Sequence, residues 1–389
     1  MKKSTILMFL TALICFSATA EIRFSGFATV AAGMTSGSDE TFNGYDDDFD
    51  MKTGSFFAIQ GSSDLGEGLS ATVQILSRGE NDWDPKFAWA YLSYEANDEW
   101  RILLGRQRAP LFLYSDYLDV SYAYHWIRPP AAVYDLPFDS FDGVGSIYTA
   151  NFDQSTLTTH IVFGNNTDKQ VLFSGTPIST EFKQLLGGSV TWNYDWLTLR
   201  GAYFQSDLTF PFEQGAPDST AAGLAALQAG WAQTPFASIS DELDVNDDRG
   251  VFTELGLQID LNDWLFVVEG TKVNIDHTIL PDQSSWYASL GKRMGSFMLH
   301  ATYGKNKDTS EDILGNSGVP VGADPTLDFL YASTQGALDS LNEDSDFYTL
   351  GARWNFHDSA ALKFEFTSTD SELTNQDANL FQLAIVSVF

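Results

Sequence analysis

"QGSSDLGEGLSATVQ", Gln60 to Gln74, places two short half-polar runs on either side of a glycine-rich knot. Gly61-Ser62-Ser63 closes one run, Asp64-Leu65-Gly66-Glu67-Gly68 turns, and Leu69 begins the next. Glycine supplies the positive φ that a tight turn between antiparallel strands requires. One such turn proves little, so the question is whether the device repeats.

It repeats along the whole chain. In Ala360 to Thr367, Ala360, Leu362, Phe364 and Phe366 share one face and Lys363, Glu365 and Thr367 the other. At Leu197 to Tyr203, Leu197, Leu199 and Tyr203 oppose Thr198 and Arg200. A period of two with one apolar and one polar face marks β-strands. Their connections alternate in length. Short ones fall at Asp64 to Gly68, Ala96 to Asp98, Asn151 to Gln154, Tyr194-Asp195, Leu261 to Asp263, Arg293 to Gly295 and Phe356 to Ser359. Long ones fall at Thr35 to Thr53, Gly79 to Pro85, Gln107 to Asp142, Asn165 to Gln184, Ser206 to Arg249, Asp276 to Ser284, Lys307 to Ser345 and Asp370 to Ala378. Seven short turns and eight long loops imply 16 antiparallel strands.

That alternation predicts an all-β fold, a 16-stranded transmembrane barrel with short periplasmic turns and long outer loops. Closure removes the free edges of so long a sheet and requires Ile22 to Gly33 to pair with Asn379 to Phe389. Trp100, Trp196 and Trp264 each follow a short turn, after Glu99, Asp195 and Asp263, as one interfacial aromatic belt would have them.

The first 20 residues fit a secretory leader. Lys2 and Lys3 precede the apolar run Ile6 to Phe16, and Ala18-Thr19-Ala20 predicts cleavage near Ala20, leaving 21–389 as a single barrel domain. Cys15, the chain's one cysteine, lies inside the leader after Leu13-Ile14 rather than after the small residue of a lipoprotein signal, so neither disulfide nor lipid anchor is expected. No later run has the length and apolarity of a transmembrane helix. The formal charge of −31 becomes two units more negative once Lys2 and Lys3 are removed, a surface that repels nucleic acid and attracts cations. With 44% hydrophobic and 14% aromatic residues the acidic chain is nevertheless expected to be ordered.

The residues also resemble a known family, the trimeric Gram-negative porins of general diffusion type. Gly61 to Ala71 is similar to that family's second hairpin, G-x-x-D-L-G-x-G-L-x-A, and Ala90 to Tyr94 with Leu104 to Gln107 resembles the next. The last strand, Leu380 to Phe389, ends in phenylalanine with Ile385, Leu383 and Phe381 at alternate positions, similar to the signal read by the outer-membrane insertion machinery. The resemblance implies a homotrimer embedded among outer-membrane lipid and lipopolysaccharide, with a third loop, 107–142, folded inward as the constriction. Phe56 and Gln60 stand where family members often carry an arginine and a lysine, so the basic wall does not transfer directly. Ser387 interrupts the apolar face of the last strand.

Within that loop Asp116, Asp119, Asp135, Asp139 and Asp142 face Arg108 and Arg128, with Arg78 and Arg106 at neighbouring strand ends. These nine form the expected charged constriction, with a preference for cations. Tyr114, Tyr117, Tyr124 and Trp126 admit two readings, a sliding surface for sugars in a substrate-specific channel or anchors packing the loop on the wall, and the second is favoured. The runs Asp46 to Asp50 and Asp241 to Asp248 lack the spacing of a Ca²⁺ loop and read as solvated. The five histidines show no zinc spacing, and no G-x-S-x-G accompanies them. No metal, cofactor or catalysis is expected, and a barrel receptor or adhesin is the reading from another class. Ala221 to Trp231, "AAGLAALQAGW", is the one strongly helix-prone stretch and predicts a short helix on the outer surface.

Overall fold

A computed structural model describes residues 21–389 except 39, 135, 174–175, 218, 276, 316 and 374–375. The predicted leader, residues 1–20, lies outside the described residues. The strands are β1 (Ile22–Thr35), β2 (Phe56–Gly66), β3 (Leu69–Arg78), β4 (Pro85–Glu95), β5 (Trp100–Arg108), β6 (Ser140–Asn151), β7 (Ser155–Phe173) and β8 (Thr176–Tyr194). They continue as β9 (Leu197–Thr209), β10 (Asn246–Leu261), β11 (Trp264–Ile275), β12 (Asp282–Met294), β13 (Phe297–Thr309), β14 (Glu343–His357), β15 (Ala360–Ser371) and β16 (Gln376–Val388). Each pairs antiparallel with its neighbours in sequence, and β1 pairs with β16 from Phe27↔Val388 to Thr35↔Leu380. Phe389 finishes the seam, exchanging two backbone hydrogen bonds with Gly26 at 2.8 and 2.9 Å. Sixteen strands thus close into a barrel without a free edge.

The opening hairpin is tighter than its sequence suggested. Strands β2 and β3 extend to Gly66 and Leu69, and only Glu67 and Gly68 remain as the turn, at φ +53° and +79°. Two successive positive φ values match the twist of a two-residue hairpin. Asp64 Oδ1 accepts the Gly66 amide at 2.8 Å and fixes the approach.

Alternation sorts the side chains as read. Along β13, Phe297, Leu299 and Tyr303 are exposed on the outer face while Met298, His300 and Thr302 are buried on the inner one. The same split holds in β15, where Phe364 faces out and Lys363, Glu365 and Thr367 face in. Trp100, Trp196 and Trp264 stand exposed at the short-turn end, where Phe297 and Trp354 stack at 5.8 Å. Further toward the loops, Trp286 meets Tyr303 at 5.7 Å and Phe366 meets Phe381 at 4.9 Å. An outward apolar band edged by aromatic rings is the surface a lipid bilayer solvates.

Two of the expected long loops are mostly strand. Asn165 to Gln184 continues as the β7–β8 ladder out to Phe173↔Thr176, across two register shifts, and within Asp370 to Ala378 the β15–β16 ladder runs out to Ser371↔Gln376. The first extension persists because Ile178, Phe182 and Leu185 bury their inner faces in an apolar cluster on the loop side of the barrel.

That cluster also takes in helices from two loops. α1 (Thr220–Trp231), capped by Ser219 Oγ accepting the Ala222 amide at 3.1 Å, lies in the β9–β10 loop with α2 (Ser238–Glu242). α3 (Pro325–Leu341) lies in the β13–β14 loop, and sequence reading missed it although Asp324 caps it and Pro325 opens its first turn. Trp231 is buried and donates its indole N–H to Thr334 Oγ1 of α3 at 2.8 Å. The predicted helix is present in its loop, and this contact packs it against a second helix. Among the described residues no helix is long and apolar enough to cross a membrane.

At the base of the third loop Gly105 pairs with Gly143, and Gly143 with Gly164, a row of glycines across three strands. Gly105 has φ +128°, and a methyl group there would collide with the backbone of Ala90 and Tyr91. Gly105→Ala is expected to cost about 1–3 kcal/mol, the scale of a strained backbone. It should lower the temperature at which the folded barrel converts to the unfolded form on a gel. An unchanged transition would remove the row's structural role.

Candidate pore constriction

The connection from Arg108 to Ser140, called L3 below, carries most of the candidate residues. A loop inside a barrel has no ladder, yet its buried amides and carbonyls still need partners. The inner wall supplies them. Lys363 Nζ donates to the carbonyl oxygens of Ser121, Tyr124 and Trp126, three bonds from one ammonium group. Glu365 Oε1 accepts the Ile127 amide at 2.7 Å, and Arg353 donates to the Tyr124 carbonyl at 2.7 Å. Four strands further round the wall, on β11, Glu269 accepts the Leu113 amide at 2.8 Å and the hydroxyls of Tyr134 and Tyr287 at 2.5 and 2.8 Å. The Tyr122 hydroxyl donates to the Asp358 carbonyl at 2.7 Å, in the short turn between β14 and β15. L3 thus enters from the loop side and reaches a turn of the other end.

Three of the four candidate lumen aromatics are wall anchors. Tyr114, Tyr124 and Trp126 are 3%, 4% and 1% exposed and pack with Leu265, Val267, Tyr287, Met298 and Phe347. The Trp126 indole donates to Thr302 Oγ1 at 2.9 Å, and the Tyr114 hydroxyl to Gln258 Oε1 at 2.8 Å. Buried rings cannot form a sliding surface, so the packing alternative is the one found. Tyr117, 37% exposed, is outside that cluster.

The charged candidates divide. Asp119 is buried between Arg78 and Arg108 and bonds to both guanidinium groups. Arg108 also lies 3.5 Å from Asp139, and Glu80, which sequence reading had not singled out, lies 3.6 Å from Arg128 and 3.8 Å from Arg78. Arg78, Glu80, Asp119, Arg128 and Asp139 line one cavity of about 610 Å³. Arg106 and Asp142 are not part of it. They form a two-bond pair, 2.9 and 2.6 Å, on the face that carries the exposed Leu104 and Val144, outside the barrel wall. The correction follows from alternation, since Leu103 and Gln107 are the inward neighbours. Asp116 is exposed within the single turn Ser115–Tyr117 and does not line this cavity. Asp135 lies outside the described residues.

Sequence reading placed Lys363 and Glu365 on a polar strand face but did not see them as loop anchors. Two charged residues at an inward i, i+2 spacing opposite a long loop were the available signal. The expected acidic loop facing basic walls is also modified, because Asp119 touches its arginines directly and much of that field cancels over a few ångströms. Burial raises the Asp119 carboxyl, but Arg108 and then Arg78 outweigh it and hold it well below the usual carboxylate range.

No family model matches the sequence, and no curated relative matches it. Solved structures do. A loop-deletion form of OmpT, an outer membrane protein of Vibrio cholerae, superposes with a TM-score of 0.59 at 14% identity, over 95% of this chain and 99% of that one. OmpF of Salmonella typhi, solved with daunomycin, gives 0.59 at 11% identity over 95% and 98%. An anion-selective porin from Comamonas acidovorans gives 0.57 at 13% identity over 95% and 100%. The chain shares the porin fold over nearly its whole length, and identities this low speak for the fold alone.

Lys363→Met removes three buried donors and is expected to loosen L3 by on the order of 1–3 kcal/mol. Protease should cut the loop faster while the barrel stays folded; an unchanged rate would deny Lys363 its anchoring role. Asp119→Asn leaves Arg78 and Arg108 without their shared carboxylate and should cost about 3–5 kcal/mol in thermal unfolding. A carboxyl with a depressed folded-state pKa stabilises above its unfolded value of about 3.9 and loses that contribution as pH falls through the folded value. L3 should therefore stay protease-resistant down to about pH 4 and loosen only in stronger acid. Loosening already at about pH 5 would rule out Asp119 as the controlling group.

Proposed function

We propose that the chain is an outer-membrane porin, a water-filled channel passing small hydrophilic solutes and ions by diffusion, with preference for cations. The observation that carries this reading is the charge balance of the cavity between L3 and the wall, where Arg78 and Arg128 face Glu80, Asp119, Asp139, Glu343 and Glu365. With Arg108, which binds Asp119 from behind the lining, three guanidinium groups stand against five carboxylates, and in a chain of strongly negative net charge that excess favours a counter-ion of positive sign. Within this reading the constriction consists of L3 with Arg78, Arg108, Asp119, Arg128 and Asp139.

The remaining assignments belong to the same proposal. Cleavage near Ala20 follows export, and insertion is directed by the last strand and Phe389. The barrel sits among lipid and lipopolysaccharide as a homotrimer. Hydrolysis is disfavoured by the two serine–histidine contacts among the described residues, of which Ser359 and His357, 3.2 Å apart, lie exposed at the β14–β15 turn. In the other, His125 Nε2 of L3 lies 3.0 Å from Ser289 Oγ of β12, but both residues are buried between loop and wall and His125 Nδ1 has no hydrogen-bond partner to orient it.

Single-channel recording of the purified protein in a planar bilayer tests the reading. Steps in groups of three are expected, with a cation-selective reversal potential in a salt gradient. The selectivity should fade between 0.1 and 1 M salt, as the screening length falls from about 10 Å to about 3 Å. Anion selectivity would refute the charge argument, and folded protein without conductance would refute the channel.

A further inference from the structure

A second cavity of about 660 Å³ lies on the loop side of the barrel, and its walls are of two kinds. One is apolar: Leu111 and Phe138 of L3, Phe204 of β9, Phe252 of β10, Ile275 of β11 and Leu280 of the loop after it. The other is polar and acidic. Asp308 of β13 and Glu343 of β14 are direct partners across the ladder and both line the cavity, with Gln283 and Ser345 beside them. The Ser345 hydroxyl donates to Glu343 Oε1 at 2.7 Å, and among the described residues no lysine or arginine lines the space.

We propose that this cavity binds a small organic cation with an apolar body, an aromatic or branched aliphatic amine. A polar vestibule suits a general diffusion channel, and an apolar wall in water is a cost unless a solute covers it. The size is that of a small-molecule site, where an apolar lining supplies affinity and a few polar groups set orientation. The facing carboxylates choose the sign of the head group, since an anion would meet two like charges there and an ammonium group two opposite ones. A bare metal ion or a sugar would leave the Phe204 and Phe252 wall unused. Phe138 and Glu343 border both this cavity and the charged one, so a bound amine would stand at the entrance to the proposed constriction. Its position there, as a selected solute or a blocker, rests on the channel reading; the binding itself does not.

The test is calorimetric titration of the detergent-purified full chain with tryptamine, compared with indole-3-propionate and putrescine. Saturable tryptamine binding is expected, with both comparison compounds at least about tenfold weaker, a difference of about 1.4 kcal/mol. Asp308→Asn with Glu343→Gln should weaken tryptamine by about tenfold or more and leave indole-3-propionate no weaker. Leu280→Ser, in a loop outside the ladder, should weaken tryptamine without disturbing the barrel. Absence of saturable binding, equal affinity for the two indoles, equal affinity for putrescine, or indifference to the charge variants would each overturn the site. Conductance recorded in parallel separates the two ideas. A conducting channel without amine binding loses the site and keeps the porin; amine binding without conductance does the reverse.

Discussion

A peptide segment folded into the middle of a barrel must find hydrogen-bond partners for its backbone where no neighbouring strand can provide them. In this molecule a few charged side chains on the inner wall perform that task. Lys363 takes three carbonyls, Glu365 an amide, and Glu269 an amide and two tyrosine hydroxyls. Each ion is buried, which would be costly alone, and each becomes tolerable because backbone dipoles and hydroxyls replace its water. The aromatic residues of L3 then fill the remaining volume, and the loop becomes part of the wall.

That anchoring determines the character of the lumen. With Tyr114, Tyr124 and Trp126 turned to the wall, the loop offers its charged stretch around Asp119 and Asp139 to one side and Leu111 and Phe138 to the other. The space on the loop side is divided into a charged chamber and an amphipathic one. The charged chamber is not a simple opposition of plates, because Asp119 sits directly between Arg78 and Arg108. What survives at longer range is the excess of carboxylates over arginines.

Much of the barrel was legible from alternation. The faces of β13 and β15, the closure of β1 on β16 and the belt of Trp100, Trp196 and Trp264 follow from side chains pointing alternately to water or lipid. The outward placement of Arg106 was legible too, since it shares parity with Leu104, although its charge suggested the pore. The extension of β7 and β8 was not, because polar residues beyond the membrane band can pair as well as loop, and the choice was made by distant residues that bury Phe182 and Leu185.

The sequence by itself determined the strand count, the sidedness of loops and turns, and the excess of negative charge, because each is a sum or a period along the chain. Only the tertiary structure decided which aspartate meets which arginine, which tyrosines leave water, and that Lys363 carries L3. Those contacts join residues as far apart as Ser121 and Lys363, and their partners are selected by the shape the closed barrel imposes on a loop with nowhere else to satisfy its backbone.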